Sequence, residues 1–121
     1  MEIKLIETAN MKIAEVLSDG ITIYDVQDAL DIIGNADCQG ARSIIIHQYL
    51  INPEFFNLRS GLAGEILQKF STYGVKLAII GDFDQFDSKA LKAFIIECNR
   101  GRTVFFAADR DEAIKRISDN T

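Results

Sequence analysis

Apolar positions along the chain change period several times, and the changes mark the elements. Ile3 to Thr8 is rich in β-formers. After Ala9-Asn10 a second run, Met11 to Val16, sets Ile13 and Glu15 against Lys12, Ala14 and Val16 at the two-residue period of a strand. Two short strands meeting near Asn10 predict a hairpin. Ser18-Asp19-Gly20 breaks the pattern, and Ile21-Thr22-Ile23 predicts a short extended piece. Val26, Ala29, Leu30 and Ile33 then recur at helical spacing, with Asp25 as N-cap and Asp28 in the first turn. Gly34-Asn35, residues that tolerate a left-handed backbone, predict the end of that helix.

Ser43-Ile44-Ile45-Ile46 is a continuous β-branched run, as in a parallel strand covered on both faces. Asn52-Pro53-Glu54 is a helix-start signature, because proline at the first helical position gives up an amide that has no intrahelical partner anyway. A longer helix is expected from Ser60 through Phe70, closed by Tyr73-Gly74. Lys76 to Ile80 reads as the next buried strand. Ser88 caps a helix striped by Leu91, Phe94, Ile95 and Cys98, which Asn99-Arg100-Gly101 stops. Thr103 to Phe106 is the last strand, and Asp109 with Glu112 starts a final helix in the manner of a capping box. The order is β-β-α-β-α-β-α-β-α, an α/β fold with a mainly parallel open sheet and an N-terminal hairpin on its edge. With one proline, no repeat and no low-complexity stretch, residues 1–121 read as a single domain.

Composition narrows the class. At 121 residues and 48% hydrophobic, the chain can bury roughly 65–70% of its unfolded surface, enough for a core without disulfides or a structural metal. The formal charge is −5 and the basic residues are scattered, which argues against nucleic acid as a partner. Cys38 and Cys98 are far apart, with no Cys-x-x-Cys, as expected in a reducing cytosol. No leader-like N-terminus and no run of about 20 apolar residues is present, so a cytoplasmic chain without membrane contact is expected.

In an open α/β sheet, ligands bind beyond the carboxyl ends of the strands. The residues expected there are His47, Gln48 and Asn52, then Gly81, Asp82, Asp84 and Asp87, then Asp109 and Arg110, with Arg59-Ser60-Gly61 opening onto the same edge. His47, Arg59, Ser60, Gly61 and Asp82 are the candidate binding residues. A serine at a helix start meets oriented amides that would stabilise an attached phosphate, so Ser60 is also a candidate phosphoacceptor, whereas capping alone would equally explain it. Nothing supports it as a hydrolytic nucleophile: Arg59-Ser60-Gly61-Leu62-Ala63-Gly64 is no nucleophile elbow, and His47 is the only histidine. One histidine cannot build a multi-histidine metal site. Asp82, Asp84 and Asp87 could approach a magnesium ion, but neither phosphate-loop pattern accompanies them, so loop and cap roles suffice. No catalytic constellation, metal site or cofactor is expected. Glu65 and Glu97 read as solvated helix residues, Cys98 as core and Cys38 as a loop residue. Phe55, Phe56, Phe83 and Phe86 flank the rim, either as core or as an exposed interaction patch.

Met11 to Val16, Pro53 to Phe70 and Lys76 to Phe83 together resemble the bacterial domain-of-unknown-function family 4180, over nearly the whole chain. That resemblance carries no activity. More distantly, the element order is similar to that of STAS domains of anti-sigma-factor antagonists, which bear an Asp-Ser-Ser-Gly-Leu-like motif at the start of the helix after the third strand. Ser60-Gly61-Leu62 falls at the matching place, whereas Leu58-Arg59 stands where Asp-Ser is expected and Gln48 to Asn57 intervenes. The STAS resemblance implies a non-enzymatic regulatory or protein-interaction module with Ser60 as its switch. The alternative is a small-molecule or anion-binding domain, weakly catalytic at most, at the carboxyl edge. A third expectation is a homodimer formed through exposed phenylalanines.

Overall fold

The computed structural model describes Met1 to Asn120. Strand β1 (Glu2–Glu7) pairs antiparallel with β2 (Lys12–Leu17), and β3 (Ser43–His47), β4 (Lys76–Ile80) and β5 (Val104–Ala107) follow in parallel, so the spatial order is the chain order. Helices α1 (Val26–Cys38), α2 (Leu62–Tyr73) and α3 (Lys89–Arg100) connect the parallel strands, and α4 (Arg110–Asp119) ends the described chain. Right-handed crossovers that all step in one direction place their helices on one face. The larger core accordingly joins Ala14, Val16, Ile44, Ile46, Leu77, Ile79 and Phe106 to Ile32, Ile66 and Phe70. The opposite side of the same strands, Ile13, Ile45, Ala78, Ile80, Phe105 and Ala107, packs against Ala113 and Ile117 of α4.

Cap chemistry agrees with the sequence at three helix starts. Asp25 accepts from the Asp28 amide at 3.0 Å, Ser88 from Leu91 at 3.1 Å and Asp109 from Glu112 at 2.8 Å. Gly74, at φ 66°, terminates α2. Three expectations are corrected. Helix α1 does not stop at Gly34-Asn35 but continues to Cys38, because Ala36 extends the buried stripe of Ala29, Ile32 and Ile33 and the left-handed turn comes only at Gly40, φ 83°. Helix α2 begins at Leu62 rather than Ser60. Gly61, at φ 79°, interrupts the helical backbone, and two 3-10 turns, Pro53–Phe56 and Leu58–Ser60, occupy the preceding stretch. The extended piece expected at Ile21 to Ile23 reduces to one parallel bridge between Ile23 and Ile51.

Strand β5 is an edge, which leaves outward-facing amide and carbonyl groups to be managed. Asn99 of α3 takes both groups of Phe106: its Nδ2 donates to the Phe106 carbonyl at 3.2 Å, and the Phe106 amide donates to its Oδ1 at 2.7 Å. A side chain thus stands where another strand would otherwise pair. Asn99→Ala is expected to lower stability by about 1–3 kcal/mol by orphaning two half-buried backbone groups, read as a fall in the urea midpoint; an unchanged midpoint would show that water replaces the amide without loss.

Candidate functional site

Beyond the carboxyl ends of β3 and β4, two loops are joined by aromatic packing. Phe55 and Phe56 are buried, and Phe56 stacks on Phe86 with centroids 5.1 Å apart and meets Phe83 at 6.1 Å. Phe83 in turn packs edge-on against Phe106 at 5.1 Å. Phe55 and Phe56 belong to the core, and Phe83 and Phe86 are half-buried against it. The seam continues at Gly81, where a Cβ would fall 2.1 Å from Gln48 Oε1. That oxygen is buried and has no hydrogen-bond partner among the described residues. Gly81 thus allows a close approach of the Gln48 side chain, which a Cβ would have to displace.

The stretch from Asn52 to Gly61 is pinned by four side-chain hydrogen bonds. Asn52 accepts from the Glu54 amide at 3.1 Å and donates through Nδ2 to the Tyr24 carbonyl at 3.0 Å. Ser60 Oγ donates to the Glu54 carbonyl at 2.7 Å and accepts from the Leu62 amide at 3.2 Å. Its hydroxyl therefore serves the start of α2 from one position before the cap residue, Gly61. Arg59, Ser60 and Gly61 are all exposed.

His47 lies apart from them. Strand β3 turns Ile44 and Ile46 towards the three-helix face and Ile45 towards α4, and His47, two residues after Ile45, follows it. Its Nε2 is 3.9 Å from Glu15 Oε2, an ion pair when the imidazole is protonated, and its ring rests 5.2 Å from Tyr49. Glu15 Oε1 is 3.1 Å from Arg110 Nε at the start of α4. Asp82 is exposed, caps the next 3-10 turn by accepting from the Asp84 amide at 3.2 Å, and lines a cavity of about 400 Å³ with Glu112 and Arg116. His47, Arg59, Ser60 and Gly61 are not among that cavity's lining residues. The five candidates thus fall into three places: the Arg59-Ser60-Gly61 turn, the Asp82 cavity, and the His47 cluster beneath α4.

Sequence reasoning missed Glu15 as a site residue. The signal was present, since Glu15 shares its strand face with Ile13, and a carboxylate on a face that becomes buried demands a partner. The side chain of Glu15 is 7% exposed and that of Arg110 43%. Among the described residues no group of three or more His, Cys, Asp or Glu is placed to hold a metal ion, and no helix is long and apolar enough to cross a membrane. Burial, reinforced by the charge of Glu97, pushes the Cys98 thiol up to about 11, so it stays protonated at neutral pH, whereas Cys38 is exposed.

The family model described as Domain of unknown function (DUF4180) matches residues 8–117. The chain belongs to the DUF4180 family. The matched span contains β2 to β5 and every candidate named above, while β1 precedes it. No curated protein and no solved structure is detectably similar to the chain.

Removing the cation from the Glu15 pair, as in Arg110→Met, is expected to cost about 1–2 kcal/mol, less than for a fully enclosed pair because Arg110 is partly solvated. The double variant Glu15→Leu/Arg110→Met should recover most of that loss in urea unfolding; equal destabilisation of single and double variants would mean the arginine acts by packing alone. Gly81→Ala should cost about 1–3 kcal/mol through overpacking, and Gln48→Ala should relieve it in a double-mutant cycle. Additivity in that cycle would contradict the contact.

Proposed function

We propose that the chain is a non-enzymatic, STAS-like regulatory or protein-interaction module whose recognition surface is the Asn52–Gly61 stretch, with Ser60 as the residue that switches it. The observation that carries this reading is Ser60 itself, an exposed hydroxyl tying the Glu54 carbonyl to the first amide of α2. The side chains of Pro53, Glu54, Asn57, Arg59 and Ser60 face solvent while Phe55 and Phe56 anchor the same segment in the core. A surface of this kind is ordered before a partner arrives, which reduces the entropy lost on binding. Phosphorylation of Ser60 would remove the proton donated to Glu54 and set a dianion beside the start of α2 and next to Arg59, changing both the shape and the charge of the segment. The element order and Ser60-Gly61-Leu62 at the start of the helix after β3 support the STAS-like description.

The second reading, a small-molecule or anion-binding domain at the carboxyl edge, is favoured by the Asp82 cavity with its paired Glu112 and Arg116, 3.5 Å apart. A ligand held only by the native state would raise the melting temperature.

The test is quantitative co-purification from the cells of origin with the wild-type chain, Ser60→Ala and Ser60→Asp, together with native mass spectra of the wild-type chain. The expected outcome is a partner whose recovery differs between Ser60→Ala and Ser60→Asp, and a phosphate localised to Ser60. Identical recovery with all three chains and an unmodified Ser60 would overturn the switch, and a small molecule retained in the native spectrum would favour the second reading.

A further inference from the structure

The amino edge of the parallel sheet lies opposite the loops considered so far, and it concentrates positive charge in a chain of formal charge −5. Parallel registers set Ile13 level with Ser43 and Ser43 level with Lys76. Strand starts that are far apart in sequence therefore arrive side by side. Lys12, Arg42, Ser43 and Lys76 line one cavity of about 350 Å³ together with Gly40 and Gly74. Both glycines are left-handed and stand where the cationic heads pass. A Cβ on Gly40 would fall 3.7 Å from Lys12 Nζ, and one on Gly74 3.3 Å from a terminal nitrogen of Arg42.

The charges in this groove are incompletely answered. Glu7 lies 3.8 Å from Lys12 Nζ, and Asp37 lies 3.3 Å from Arg42. Arg42 also donates to the Tyr73 and Gly74 carbonyls. Lys76 Nζ donates to the Asn120 carbonyl, a neutral partner, and among the described residues no carboxylate pairs with it. Burial, and after it the nearby charge of Arg102, lower the Lys76 pKa. Ser43, only 5% exposed, lines the same cavity and brings a hydroxyl to it.

We propose that this groove binds a small oxyanion of the phosphate class, inorganic phosphate or a phosphate monoester, through Lys12, Arg42, Lys76 and the Ser43 hydroxyl. A dianion placed there answers the excess of cations, accepts from Ser43, and draws charge-assisted hydrogen bonds from the basic side chains. The cavity exceeds what one phosphate group fills, which leaves room for the organic body of a monoester. The site is independent of Ser60, lies at the other edge of the sheet, and needs no covalent step.

The test is an amide NMR titration of the whole chain with inorganic phosphate at constant ionic strength, repeated with sodium chloride and with glycerol phosphate. Saturable shifts at Gly40, Ser43, Gly74 and Lys76, absent with chloride, are expected. Arg42→Gln, at an exposed side chain whose loss should leave the spectrum folded, should weaken binding about tenfold, as loss of one charge-assisted hydrogen bond implies. Lys76→Gln should do the same. Tighter binding of the ester than of phosphate assigns the spare volume to an organic body, and equal affinity assigns the site to the free ion. Non-saturating shifts, shifts reproduced by chloride, or unchanged affinity in Arg42→Gln would overturn the proposal.

Discussion

Four parallel strands lie side by side in chain order, and the crossovers between them, stepping in one direction, put α1, α2 and α3 into one core on one face. Every later feature follows from that asymmetry. The three-helix side receives the larger aromatic core, with Phe55, Phe70 and Phe106 filling it, while the other side is closed by α4 across β3, β4 and β5. Among the described residues α4 is the only helix on that side, and its first residue, Arg110, answers Glu15 on β2. The carboxylate is retained at a position where an apolar residue would pack more simply.

The two ends of the parallel strands differ in kind. At the carboxyl end, Phe56, Phe83 and Phe86 draw the loops together over the sheet, and Gln48 lies against Gly81. What faces solvent there is an ordered rim, with Ser60 on one loop and Asp82 on another. At the amino end the strand starts are short, polar and basic, and the turns at Gly40 and Gly74 leave a groove between them. Aromatic side chains draw the loops of the first end together, whereas basic side chains line the groove of the second.

Much of the architecture was legible because it rests on local chemistry. Asp25, Ser88 and Asp109 announce helix starts by their own side chains, and Gly74 announces an end by its freedom at positive φ. Where prediction departed from the structure, a tertiary contact had overruled a local tendency. Gly34-Asn35 resembles a stop, yet Ala36 buries on the same stripe and carries α1 onward to Cys38. Ser60 resembles a cap residue, yet Gly61 takes that position, and the serine accepts from the Leu62 amide while also donating back to the Glu54 carbonyl.

The candidate site was legible only as a set of residue types. Arg59, Ser60 and Gly61 stand together because they are consecutive, but whether His47 joined them depended on which face of β3 it took relative to the helices, and the sheet separates the two. The pairing of Glu15 with Arg110 and the gathering of Lys12, Arg42 and Lys76 span most of the chain, so no window of sequence contains them. By itself the sequence determined the identity and order of the elements, since periodicity and capping act within a few residues. Only the tertiary structure decided which charges meet, because strand register and crossover handedness bring together side chains whose separation along the chain carries no record of their contact.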